Sequence, residues 1–164
     1  MTRSSTTLVT LLILLASCHT LFSNVDELGP NQKSKREWLR IHNKVRIEHK
    51  VPPMIWDRDL ASSALSIAKE ISASGETPYV GGYPPGSRKF INHYYVCGEG
   101  GRDYPNEDAM KAWLSGNTRS TTTPLFYLYS VSLGCAKAWG WNTLCSEFRG
   151  SHSVVSVCLY LWNS

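Results

Sequence analysis

His93 and Glu99 stand six positions apart, with the glutamate inside the run Gly98-Glu99-Gly100-Gly101. An imidazole and a carboxylate that meet in a cleft can share a proton or hold a divalent metal, which makes these two the binding-cleft candidates of the chain. The plainer reading is a polar edge whose groups are simply hydrogen-bonded. A nucleophile is harder to find. The signatures G-x-S-x-G, H-E-x-x-H and G-x-x-x-x-G-K-[ST] are absent, and cysteines in an exported chain go into bridges rather than thiolate chemistry. The glycine run lacks the G-x-G-x-x-G spacing of a dinucleotide loop and places an acid where phosphate would sit. His42, followed by Asn43, reads as a packing and hydrogen-bonding residue. His49 and His152 have no carboxylate or cysteine at a telling spacing and read as surface positions.

These residues belong to a chain of 164 residues and 18.4 kDa, 42% hydrophobic and 18% charged, with a mean hydropathy of −0.23. That composition excludes disordered, collagen-like and coiled-coil classes and fits one globular domain. Met1-Thr2-Arg3, then the apolar run Leu8 to Ala16, then Ser17 and Cys18 read as a secretory signal peptide over residues 1–20, cut between 17 and 23. The run is too short for the roughly 18 residues a membrane span needs, so no transmembrane segment is expected. Leu15-Ala16-Ser17-Cys18 also fits a bacterial lipoprotein box, a four-letter pattern that weighs little. Residues 21–36 form an N-terminal extension and 37–164 a single domain. Lys33-Ser34-Lys35-Arg36 reads as a solvated face at a helix start or, alternatively, as a dibasic processing site that would leave Glu37 first.

Loss of the leader leaves four cysteines, Cys97, Cys135, Cys145 and Cys158. An even set in an oxidising compartment implies two disulfides, with three connectivities that spacing alone does not separate. The formal net charge of +4 is mild and there is no basic stripe with interleaved aromatics, which excludes a nucleic-acid partner. No Asn-x-Ser/Thr sequon occurs, so N-glycosylation is not expected.

The elements that must position these residues follow from hydrophobic spacing. Trp38, Ile41 and Val45 predict an amphipathic helix ending before Pro52-Pro53, and Asp57 caps a second helix with the stripe Leu60, Ala61, Ala64, Leu65, Ala68, Ile71 that Gly75 closes. Gly75 to Ser87 is loop chemistry, and long loops of this kind commonly carry contacts, so it is the expected partner-binding segment. Phe90 to Cys97 reads as a strand broken by Gly98, and Asn106 to Leu114 as a third helix. Leu125 to Leu133, Cys135 to Trp139 and Ser153 to Leu161 read as strands. Helices followed by a strand-rich second half predict an α+β fold with a mainly antiparallel sheet.

His42-Asn43-Lys44-Val45-Arg46, Val51-Pro52-Pro53-Met54-Ile55-Trp56-Asp57, and then Leu60-Ala61 with Ala64 resemble the opening motifs of the CAP superfamily of cysteine-rich secretory, venom-allergen and pathogenesis-related proteins. Gly98-Glu99-Gly100 is similar to its G-E-N element, Leu133-Gly134-Cys135-Ala136 to its L-G-C-A, and Val154 to Tyr160 to its closing v-v-C-n-Y. The resemblance implies a three-layer α-β-α sandwich, structural roles for His42, Asn43, Arg46 and Trp56, and a Cys135–Cys158 bridge that leaves Cys97 to pair with Cys145. It also implies a cleft of two histidines and two glutamates, and here the chain departs from the pattern. Gly116 stands at the second glutamate and Thr121 at the second histidine, so His93 and Glu99 are at most a remnant. One histidine and one carboxylate leave most of a metal's coordination to water, so no metal site and no cofactor are expected.

The function these readings imply is a secreted, monomeric, non-enzymatic domain that binds a sterol, a fatty acid or an extracellular protein. A weak hydrolase using His93 and Glu99 as an acid/base pair is the rival reading. A secreted effector or toxin acting on a receptor or channel is the third.

Overall fold

A computed structural model describes residues 32–76, 88–99, 103–116, 123–140, 145 and 151–162. The expected leader, most of the extension, most of the Gly75–Ser87 loop and Thr121 lie outside the described residues. In chain order the elements are α1 (Gln32–Glu48), β1 (Ile55–Trp56), α2 (Arg58–Ser74), β2 (Lys89–Glu99), α3 (Asn106–Leu114), α4 (Thr123–Phe126), β3 (Val131–Gly140) and β4 (Ser151–Trp162).

The strands form one sheet in the order β1-β3-β4-β2. The β3–β4 and β4–β2 pairs are antiparallel, and only the two-residue β1 runs parallel to its neighbour. Because strand side chains alternate between faces, each strand splits into two sets. Leu133, Cys135, Val154, Cys158 and Tyr160 bury one face against Trp38, Ile41 and Val45 of α1 and Met110 and Trp113 of α3. Ile91, Ala136, Ala138, Val155, Val157 and Leu159 bury the other against Leu60, Ala64, Ala68 and Ile71 of α2. The sheet therefore lies between helices on both faces, an α-β-α sandwich.

Local chemistry sets the helix ends. The Asp57 carboxylate accepts from the N–H groups of Asp59 and Leu60, satisfying two of the orphan donors at the start of α2, and Gly75 ends that helix at φ 76°. Small residues let α2 lie directly on β3. A Cβ on Gly134 would fall 2.1 Å from the Ala61 nitrogen, and one on Gly140 would fall 2.2 Å from the Ser72 carbonyl oxygen.

The strand expected over Leu125 to Leu133 is not formed as such. Thr123–Phe126 is a short helix and β3 begins only at Val131. Pro124 has no N–H for a ladder and suits a first helical turn. The carbonyls of Pro124, Leu125, Tyr127 and Tyr129 all accept from Arg46, so they are not free to pair with a strand. Nor does Gly98 break β2: its backbone pairs with His152, and the strand runs on to Glu99 opposite Ser151.

Candidate functional site

His42 lies at the centre of the sandwich, fully buried on α1. Its Nδ1 is 2.8 Å from the Trp38 carbonyl one turn earlier, which fixes the proton on Nδ1 and leaves Nε2 to accept from the Tyr160 hydroxyl at 3.0 Å. Asn92 Nδ2 in turn donates to that hydroxyl at 3.3 Å. Burial holds the imidazole pKa down at about 4, the Trp38 carbonyl opposing this and Arg46 adding to it, so the ring is neutral at ordinary pH. Burial likewise pushes the Tyr160 hydroxyl above its usual range. A neutral imidazole between a carbonyl and a tyrosine, closed from water, is a structural bridge between α1 and β4.

Asn43 and Arg46 hold the chain that leaves α1. The Asn43 amide donates to the Met54 carbonyl at 3.2 Å and accepts from the Met54 N–H at 2.7 Å, a two-point match to one residue's backbone. The Arg46 guanidinium, with no solvent exposure, donates to the carbonyls of Pro52, Pro124, Leu125, Tyr127 and Tyr129. Its charge is balanced by carbonyl dipoles, since no ion pair to it occurs among the described residues. Burial lowers its pKa from the ordinary value. Trp56, half-buried, pairs with Leu133 in β1, and the Asp57 N–H continues that contact onto the Leu133 carbonyl at 2.9 Å.

The four cysteines among the described residues form two disulfides, Cys135–Cys158 and Cys97–Cys145. Cys135 and Cys158 are direct partners across the β3–β4 ladder, fully buried. Their sulfurs and a His42 ring nitrogen lie within 4.8 Å of one another, a grouping that could suit a soft metal if the thiols were free. Bonded to each other, the sulfurs cannot serve as thiolate ligands.

The geometry does not bring the cleft candidates together. His93 and Glu99 lie on the same unbroken strand, opposite Val157 and Ser151. At about 3.3 Å per residue their backbones are roughly 20 Å apart, far beyond the reach of a shared proton or metal. The alternation places half-buried His93 on the sheet face of Ile91, away from Asn92 and therefore from His42. Its carbonyl accepts the Trp113 indole N–H of α3 at 2.9 Å. Gly116 closes α3 at φ 69°, a conformation that disfavours a glutamate there.

One cluster escaped the sequence reading. Lys137 Nζ lies 2.8 Å from Asp103 Oδ1, bonds the Tyr104 carbonyl and sits 4.2 Å from the centre of the Tyr104 ring. The Tyr104 hydroxyl is 2.8 Å from Ser156 Oγ and donates to the Tyr94 carbonyl at 3.2 Å. The signal was a lysine standing in phase with the inward residues Val131, Leu133 and Cys135, where a strand buried on both faces should be apolar.

Another feature lies at the corner where α1 ends. Arg46 ties down the carbonyls of Tyr127 and Tyr129, while Leu128 and Tyr129 stay 72% and 65% exposed and Ile47, the next residue of α1, 68% exposed. The Tyr127 ring stacks on Trp162 at 3.9 Å, and Trp162 lies 4.4 Å from Phe90.

Residues 39–160 match the model of the CAP family, described as the cysteine-rich secretory protein family. "Secreted protein RBT4" of Candida albicans is 27% identical over 123 residues, covering 66% of this chain and 32% of that protein, so the chain spans about a third of that relative's length. Among solved structures, MpPR-1i matches at a TM-score of 0.49 and 19% identity over 82% of this chain and 92% of its own. The crystal of MpPR-1i soaked with selenourea matches at 0.46 and 21%, covering 79% and 91% of the two chains. With the family match spanning the sandwich from α1 to Tyr160, the chain belongs to the cysteine-rich secretory protein family.

Proposed function

We propose that this chain is a secreted, non-enzymatic CAP domain whose ligand is a sterol or fatty acid held at the corner formed by Ile47, Leu128 and Tyr129. Secretion is supported by the apolar run Leu8 to Ala16, by two disulfides that suit an oxidising compartment and by the family's secretory character. The non-enzymatic reading draws on the site chemistry. The buried histidine is neutral and bonded on both nitrogens, Cys97, Cys135, Cys145 and Cys158 are paired, and the remaining acid/base candidates stand far apart along β2.

The observation that carries the ligand class is the Arg46 clamp. A buried guanidinium fixes the backbone on either side of Leu128 while leaving the leucine itself 72% exposed. A rigid, water-facing apolar group beside stacked aromatic rings favours an apolar ligand, because the ordering of the site is already complete before binding. The test is a competition titration of the secreted chain with a fluorescent sterol and a fluorescent fatty acid. Displacement by the unlabelled lipid, weakened at least fivefold in Leu128→Ser/Tyr129→Ser, is expected. Absence of binding to both probes overturns the lipid reading and turns the search to a protein partner.

A further inference from the structure

Along β3, beyond the end of β1, lies a cavity of about 380 Å³ between α1, the start of α3 and α2. The charged and polar groups lining it include Lys33 and Glu37 of α1, Asp103 and Asn106 at the head of α3, and Lys137 of β3, with Trp139 as an aromatic wall. Three properties decide what this cavity can hold. Asn106 is only 5% exposed and brings to the cavity wall a side-chain amide that can both donate and accept. The formal charges cancel, two lysines against two carboxylates, so an anion or a cation would meet like charge as often as opposite. Trp139 lines the cavity and is 53% exposed, so part of its indole surface stays uncovered.

We propose that this cavity binds a neutral pyranose ring. Sugar hydroxyls both donate and accept, as does the Asn106 amide, and they can accept from Lys137 while donating to Glu37 or Asp103. The C–H face of a pyranose is apolar and fits against an indole. The volume sits at the small end of the range for ligand sites, enough for one ring with its substituents. Lys137 is held in place by its Asp103 and Tyr104 contacts, so the polar wall is preorganised before a sugar arrives. This site is separate from the Leu128 corner and does not depend on what binds there.

Saturation-transfer NMR on the full disulfide-bonded chain tests it, with methyl glucoside, methyl mannoside, methyl galactoside and N-acetylglucosamine as probes and inorganic phosphate and L-alanine as controls. At least one sugar should show saturation on its ring C–H protons, and Asn106→Ala should weaken that sugar about tenfold. Trp139→Ala should do the same and Trp139→Phe should retain most binding, with far-UV circular dichroism unchanged in all three. No saturation from any of the four sugars overturns the proposal. So does binding unaltered in Asn106→Ala, or saturable binding of phosphate or alanine in place of sugar.

Discussion

Nε2 of His42 lies 3.0 Å from the Tyr160 hydroxyl, and through this contact the first helix and the last strand of the sandwich share one buried proton-donor chain. The imidazole is the acceptor, so it must stay neutral for the bond to exist. Its folded pKa of about 4 lies below the usual 6.5, so the unfolded chain takes up a proton at a pH where the folded chain does not. Stability is therefore fully present above about pH 6.5 and is lost as the pH falls from 6.5 toward 4, by up to roughly 3 kcal/mol. Urea unfolding at pH 7.5 and pH 4.5 should show this loss. His42→Gln, which cannot protonate, should be less stable at pH 7.5 and should have a flatter pH profile. An identical profile in the variant removes His42 as the cause.

Arg46 joins α1 to Pro52, six residues on, and to the segment Pro124 to Tyr129, some 80 residues away in sequence. Shortening it to Met would strip donors from five carbonyls, and Lys cannot reproduce the planar fork that spans them. Either substitution should cost about 3 kcal/mol or more, as expected for breaking a buried charged network. Denaturant midpoints measure the loss. A cost under about 1 kcal/mol for Arg46→Lys would mean the guanidinium geometry is not what holds α4 in place.

The helices were legible because capping and periodicity are local. Asp57, Gly75 and the span Asn106 to Leu114 follow from side chains acting on their own backbone. The segment from Leu125 to Leu133 misled because its apolar content suits a strand, while its conformation is decided by a guanidinium about 80 residues earlier in the chain. The pairing of Cys97 with Cys145 needed the family resemblance, as spacing alone left three connectivities open. His93 and Glu99 are candidates to meet in a cleft only if Gly98 ends the strand between them. The ladder to β4 keeps the strand extended instead, and extension separates what a turn would have joined. Lys137 drew no attention because a single polar residue in an apolar stretch becomes informative only when its surroundings are known, and Asn106, followed by Glu107 and Asp108, reads as an ordinary polar helix start.

The two disulfides should differ in accessibility. Cys135 and Cys158 are both fully buried beneath α1; of the other pair Cys145 is buried too, at 2% exposed, but Cys97 is only half-buried on β2, an edge strand of the sheet, and is the one cysteine of the four open to attack. Thiol exchange needs the attacking thiolate to reach a sulfur. Mild reductant should therefore open Cys97–Cys145 first, and alkylation followed by mass spectrometry should find labels on Cys97 and Cys145 while Cys135 and Cys158 stay paired. Replacing Cys97 and Cys145 by alanine should cost about 4 kcal/mol for a 48-residue separation on the chain-entropy account. First labelling of Cys135 or Cys158 would contradict this order and point to opening of the core.

A zinc titration addresses what remains of the family cleft. His93 and Glu99 are separated along β2, Gly116 occupies a left-handed turn where a second glutamate would be strained, and the sulfurs near His42 are tied to one another. Each of these removes a ligand from the tetrahedral set that zinc requires. Isothermal titration of the oxidised chain should show no site tighter than the micromolar range. Gly116→Glu should not create one, because His93 and Glu99 stay roughly 20 Å apart along β2 and the added carboxylate pays for its backbone conformation in stability. A stoichiometric tighter site that disappears in Glu99→Ala would show that His93 and Glu99 find each other in solution despite the register of β2.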